Sequence, residues 1–147
     1  MTDGISVTDV ADSEVLYRAV AAVPRCLVPD GKGGVRISSM AFNDAGRRPS
    51  VDRALLCPGG PEETRARFSP PCGVLSLVAR DVRTLTATHG GTGQVYGVDV
   101  EPVPLEGNPA HAEVFGRPPF DTDKVFERIK QALARLAVVT LPPDELP

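Results

Sequence analysis

Hydrophobic and polar positions change period several times along this chain, and each change marks an element. In "QVYGVDVEPVPL" (94–105) they alternate. Val95, Gly97 and Asp99 oppose Tyr96, Val98 and Val100, which predicts a strand with one buried face. "AHAEVFG" (110–116) is a second strand, and the linker between the two is short enough for an antiparallel pair. "VRISSMAF" (35–42) alternates as well and predicts a strand that sends Ser38 and Ser39 to opposite faces. "GVLSLVARDVRTL" (73–85) starts as a buried strand and passes at Ala79 into a helical turn. "SEVLYRAVAAV" (13–23) fits a helical face and a buried strand equally well. The period becomes helical in "DTDKVFERIKQALARLAVV". There Asp121 or Thr122 can cap, and Val125, Phe126, Ile129, Ala132, Leu133 and Leu136 form one stripe. Lys124, Arg128, Lys130 and Arg135 are expected to face away from it. This predicts an amphipathic helix over 122–137, docked on the domain's own sheet.

Turn formers divide these segments. "VPDGKGGV" (28–35) predicts a hairpin-like reversal, and "TATHGGTG" (86–93) a surface loop that takes His89 with it. Ser50 is placed to cap a short helix running through Cys57, and Pro61 with Glu62 and Glu63 to open another. "LPPDELP" stops the last helix. Residues 1–12 are polar and small and predict a flexible N-terminal tail, and 141–147 a C-terminal one. The whole predicts a single α+β domain over 13–140: a small, mainly antiparallel sheet with two or three helices packed on it. The length of 147 residues fits one domain.

Composition narrows the function classes. With 15 prolines and 14 glycines the chain has many connections and short elements. It lacks tryptophan, so its core must rest on Val, Leu, Ile and Ala. A net charge of −3 does not call for nucleic acid or an anionic membrane surface. No run approaches the ~18 apolar residues of a membrane span, and the acidic start is not expected to act as a secretory leader. A cytoplasmic protein is expected. Cys26, Cys57 and Cys72 are odd in number and widely spaced, and read as buried hydrophobes in a reducing compartment; no metal or cofactor is expected.

Phosphate-binding glycine loops, nucleophile elbows and H-E-x-x-H are all missing from the sequence. What remains is a set of polar residues on or beside strands. Arg18 lies inside an apolar run, where a guanidinium must find acceptors or reach solvent. Asn108 precedes a proline, and its side chain is free to bond the turn or a ligand. His111 can satisfy a carbonyl at its strand's start, or act as an acid or base.

In order, "LYRAV", "RISSMAFND" with "RPSVDRA", "GVLSLVARDVRTL" and "PVPLEGNPAHAEVFG" resemble a family of small bacterial proteins. These share an L-Y-R start, an S-S-x-A-F segment, an S-V-D-like triplet and a late N-P-A-H-A. The resemblance implies no particular activity. It implies that Arg18, Ser38, Ser39, Phe42, Ser50, Asp52, Asn108 and His111 are features of the family. Two functions follow as expectations. The first is an accessory domain acting with a partner protein. The second is a compact enzyme or sensor for a nucleotide or other phosphorylated ligand, with Arg18 and Ser38 or Ser39 binding it and His111 moving a proton. Ser50, Asp52 and Asn108 are expected to line the same site.

Overall fold

A computed structural model describes residues 9–144. Its centre is a seven-stranded sheet in the order β6-β7-β8-β4-β1-β5-β9. The strands are β1 (Val15–Ala21), β4 (Ser50–Arg53), β5 (Cys72–Val78), β6 (Thr86–Thr88), β7 (Val95–Pro102), β8 (His111–Arg117) and β9 (Val138–Leu141). Every neighbouring pair in it is antiparallel. A separate hairpin joins β2 (Leu27–Pro29) to β3 (Val35–Ile37) across the expected reversal. Three α-helices accompany them: α1 (Pro61–Ala66), α2 (Ala79–Arg83) and α3 (Asp123–Leu136). This is an α+β domain.

Side-chain alternation gives the sheet two unlike faces. On one, Leu16 and Val20 of β1, Leu75 and Leu77 of β5, Val98 and Val100 of β7 and Val114 of β8 form the core. Helix α3 lays Val125, Phe126, Ile129 and Leu133 into that core. Each such side chain contributes about 1.5–3 kcal/mol by leaving water, which makes this layer the main driving force. The hydroxyl of Thr122 accepts the N–H of Val125 and caps the helix. The opposite face carries Tyr17, Ser50, Asp52, His111 and Glu113, and α1 packs over its β1–β5 part.

The ambiguous segment 13–23 is a strand. Its apolar residues lie on both faces, which suits a strand between two neighbours better than a helix on a surface. Four expectations need correction. The strand expected over 35–42 stops at Ile37. The Ser38 hydroxyl then accepts the N–H of Met40 and starts a 3-10 turn, Ser39–Phe42, that buries Phe42 completely. Ser50 caps no helix: Ser50–Arg53 is drawn into the sheet between β1 and β8, and only Ala54–Leu56 turns helically. Lys130 does not face away from the core side of α3 but is buried, its ammonium on Asn43 Oδ1 at 2.7 Å and Glu127 at 3.1 Å. The glycine-rich loop contains the short strand β6, paired with β7.

Both expected tails lie partly outside the described residues. At the N-terminal end Val10 is 2% exposed, and its carbonyl accepts from Arg83. At the other end the chain leaves α3 and returns as β9 on the outer edge of β5, so Leu141 pairs with Val74. Among the described residues no helix is long and apolar enough to cross a membrane.

Candidate functional site

The sheet is split in the middle. β1 pairs with β5 along all seven of its residues, but with β4 only at Leu16↔Arg53 and Tyr17↔Asp52. In an antiparallel ladder a residue's N–H and C=O point to the same side, and the side alternates along the strand. The bonds Ala79 N–H to Glu14 O and Ala22 N–H to Pro71 O show that even-numbered positions of β1 face β5. The odd-numbered positions Ala19 and Ala21 therefore turn their N–H and C=O groups the other way. Among the described residues no strand lies there. The space is a cleft of about 420 Å³, lined by β1, by Met40 and Ala41 of the 3-10 turn, by Ser50 and Asp52, and by Thr64, Arg67 and Phe68 at the end of α1.

Arg18 holds the split open. Its Nε donates to Ala41 O at 2.8 Å and its Nη1 to Ser50 O at 2.8 Å. The guanidinium also pairs with Asp44, Nη2 to Oδ1 at 2.5 Å, and its carbon lies 5.1 Å from the centre of the Phe42 ring. Asp44 in turn accepts the N–H of Ser50 at 2.8 Å. Arg18 is thus a bracket between β1 and the segment leading into β4, and its donors are taken up by protein acceptors.

Deeper in the cleft stands Asp52, 6% exposed. A buried carboxylate needs donors, and it has three: Thr64 Oγ1 at 2.8 Å, Arg67 Nη1 at 2.8 Å and Asn108 Nδ2 at 2.9 Å. Asn108 Oδ1 accepts the N–H of Ala110, which fixes the amide's orientation. Arg67 is held further by Glu63 at 2.9 Å. Burial favours loss of its proton, yet the neighbouring Cys57, Asp52 and Glu63 outweigh this and keep its proton more firmly than usual. Burial pushes the Cys57 thiol up, so it stays protonated at neutral pH.

His111 is buried at 8% exposure beside this group, in register with Asp52. Its Nδ1 lies 2.8 Å from Val103 O, and its Nε2 3.2 Å from Ser50 Oγ. A carbonyl can only accept, so Nδ1 carries the hydrogen. In the neutral ring Nε2 then accepts the Ser50 hydroxyl.

Five of the residues singled out in the sequence therefore meet here: Arg18, Ser50, Asp52, Asn108 and His111. Arg18 and His111 are joined through Ser50, one on its carbonyl and the other on its hydroxyl. Ser38 and Ser39 stay apart from them. Ser38 caps its turn, and Ser39 donates to Glu127 of α3 at 2.9 Å, so both serve the packing of α3. Sequence reasoning missed Asp44, Thr64, Arg67 and Phe68. Asp44 sits in a loop whose composition says only "loop", and no spacing ties Thr64 or Arg67 to Asp52. His89 closes its own loop, Nδ1 accepting from Gly91 and Thr92. Comparison with known proteins adds nothing to this geometry: no protein-family model, curated protein or solved structure matches the chain.

Proposed function

We propose that this domain is a protein-interaction module that takes an extended segment of a partner chain as an added strand on β1. The supporting observation is the half-paired β1, whose Ala19 and Ala21 backbone groups face the cleft. Strand addition uses such groups for affinity and flanking pockets for selectivity. The occupant suited to this cleft is an uncharged, extended peptide with an apolar side chain. Met40 and Phe68, 37% and 42% exposed, border the opening, and alanines line its floor. The two cleft arginines already carry carboxylate partners, so neither asks for an anion. The same point weighs against a phosphorylated ligand, as does the position of Ser38 and Ser39.

The test is selection of peptides from a random-sequence display library against the full chain, followed by Ala19→Pro. Ala19's N–H is not used in the β5 ladder, so proline there removes a cleft donor and leaves the sheet bonds intact. Selected peptides should lose at least ~10-fold in affinity for a variant whose melting stays close to wild type; a lost hydrogen bond of ~1.4 kcal/mol corresponds to that factor. Peptides that bind the proline variant equally well, or a selection that yields none, would overturn the proposal.

A further inference from the structure

We infer that Ser50 is an acyl- and phosphonyl-accepting nucleophile, with His111 as its general base. This is an activity separate from peptide capture and does not rest on it. Ser50 and His111 lie on adjacent antiparallel strands and point to the same face, His111 opposite Asp52 and Ser50 opposite Glu113. The ring is fixed at both nitrogens. The Val103 carbonyl holds Nδ1–H, which leaves the lone pair of Nε2 directed at Ser50 Oγ, 3.2 Å away. A nucleophilic hydroxyl needs a base within hydrogen-bond reach and a third group that orients the base, and a main-chain carbonyl here takes the orienting position.

Ser50 itself is held on both sides. Its N–H is bonded to Asp44 and its C=O to Arg18, so its hydroxyl stands in a fixed place at the wall of the cleft. Backbone polarity supplies the remaining part. The β1–β4 pairing ends at Tyr17↔Asp52; carried two residues further, its register would set Ala19 opposite Ser50, but Arg18 has taken the Ser50 carbonyl that the Ala19 N–H would then meet. That N–H faces the cleft that Ser50 also lines, and it is the donor assigned to an oxyanion developing on a carbonyl attacked by Ser50.

The substrate class is an activated acyl compound, an ester or thioester. Ser50 Oγ bonds to the carbonyl carbon while its proton passes to His111 Nε2. The tetrahedral adduct collapses, the bond to the leaving oxygen or sulfur breaks, and the leaving group departs with the proton from Nε2. Water then attacks the acyl-serine, gives one proton to Nε2, and the acid is released as Ser50 regains that proton.

The test uses a biotinylated alkyl fluorophosphonate on the full chain, with intact mass and peptide mapping as readout. Phosphorus bonds to Ser50 Oγ, fluoride leaves, and the hydroxyl proton goes to His111. The expected result is a single adduct in the peptide containing Ser50, none in Ser50→Ala, and labelling slowed about 100-fold or more in His111→Gln, the lower end of what a positioned base supplies. Wild-type protein that stays unlabelled, or is labelled only elsewhere, overturns the inference whether or not the histidine variant folds. So does a folded His111→Gln that labels at the wild-type rate. Failure here leaves peptide binding to Ala19 untouched, and a failed peptide selection leaves the Ser50 adduct to be found, so the two proposals fall separately.

Discussion

Replacing Arg18 by methionine distinguishes a bracket from a binding residue, because methionine keeps the apolar stem and removes only the guanidinium. The loss can be worked from the contacts. Two neutral carbonyls, Ala41 O and Ser50 O, lose a donor, and Asp44 loses its ionic partner while keeping the Ser50 N–H. Hydrogen bonds to neutral acceptors are worth about 1 kcal/mol each, and breaking a fully buried ion pair costs about 3–5 kcal/mol. Here the side chains are 11% and 21% exposed, so water can reach the orphaned groups and the ionic part is smaller. A total of about 3 kcal/mol is expected. At roughly 2–4 °C per kcal/mol for a chain of this size, the melting temperature should fall by about 6–12 °C. Urea unfolding followed by circular dichroism gives the free energy, and amide exchange should quicken along β4. A change under ~0.5 kcal/mol would refute the bracket. An arginine kept ready for a phosphate would also behave differently, since inorganic phosphate would then raise the melting temperature of the wild type and not of Arg18→Met.

Two further predictions concern the scaffold around the cleft. Arg53 and Glu14 form a buried two-bond pair, Nε to Oε1 and Nη2 to Oε2, both at 2.8 Å, with the Ala11 N–H also on Glu14. Burial alone would raise the Glu14 pKa, but the Arg53 hydrogen bond, the Ala11 N–H and the nearby positive charges together lower it below 4.5. A lowered carboxyl value means stability present above the unfolded value and lost as pH falls through the folded one. Glu14→Gln should therefore cost about 3 kcal/mol at pH 7 and flatten the decline in stability below about pH 4.5, and a wild-type acid profile in that variant would refute the assignment. Gly116→Ala should cost about 1–3 kcal/mol, because a Cβ there would lie 2.6 Å from the Phe120 ring and 2.8 Å from Pro118 O, and Phe120 is wedged against Tyr96 and Phe126. Unfolding within ~0.5 kcal/mol of wild type would show that the ring simply moves aside.

The sequence made the periodic elements legible and left the interruptions hidden. β7, β8 and α3 could be read because each carries a long run of one period, and the strand-to-helix passage at Ala79 because the period changes there. β4 was unreadable. Its four residues are too few for a period, and "SVDRALLC" spaces Val51, Ala54 and Leu55 as a helix would. Two flanking strands decided the matter, and no local signal reports them. Lys130 escaped for a related reason: helical spacing places it beside the stripe, but only the fold brings Asn43 to its ammonium. The site residues divide the same way. Arg18 could be picked out as a charge in apolar company and Asn108 and His111 from the turn that leads into their strand, while Ser50 and Asp52 came only through the family resemblance; Asp44 and Arg67 lie in segments where charge is ordinary. Ser38 and Ser39 showed the reverse error, since a pair of serines in a supposed strand looked like ligand groups and proved to be a cap and a helix tether.

The cleft exists because β4 pairs with β1 at two positions and then diverges from it. Preceding Ser50 is Pro49, fully buried, whose main-chain groups are turned toward β8 and not toward β1. Pro49's carbonyl is already bonded on the other side, to Val114 of β8, which fixes this segment to β8 and lets it diverge from β1. Arg18 and Asp44 then occupy the carbonyl and N–H of Ser50, the two groups with which Ala19 would otherwise close the sheet. Arg18 and Asp44, bonded to the main chain of Ser50, thus convert a gap in a sheet into an edge that is open yet anchored on both banks. The same contacts leave the Ser50 hydroxyl as its remaining polar group, set against His111. Peptide capture and nucleophile activation depend on that single departure from regular pairing and share the Ala19 N–H, but the first adds the backbone of Ala21 and the second the side chains of Ser50 and His111.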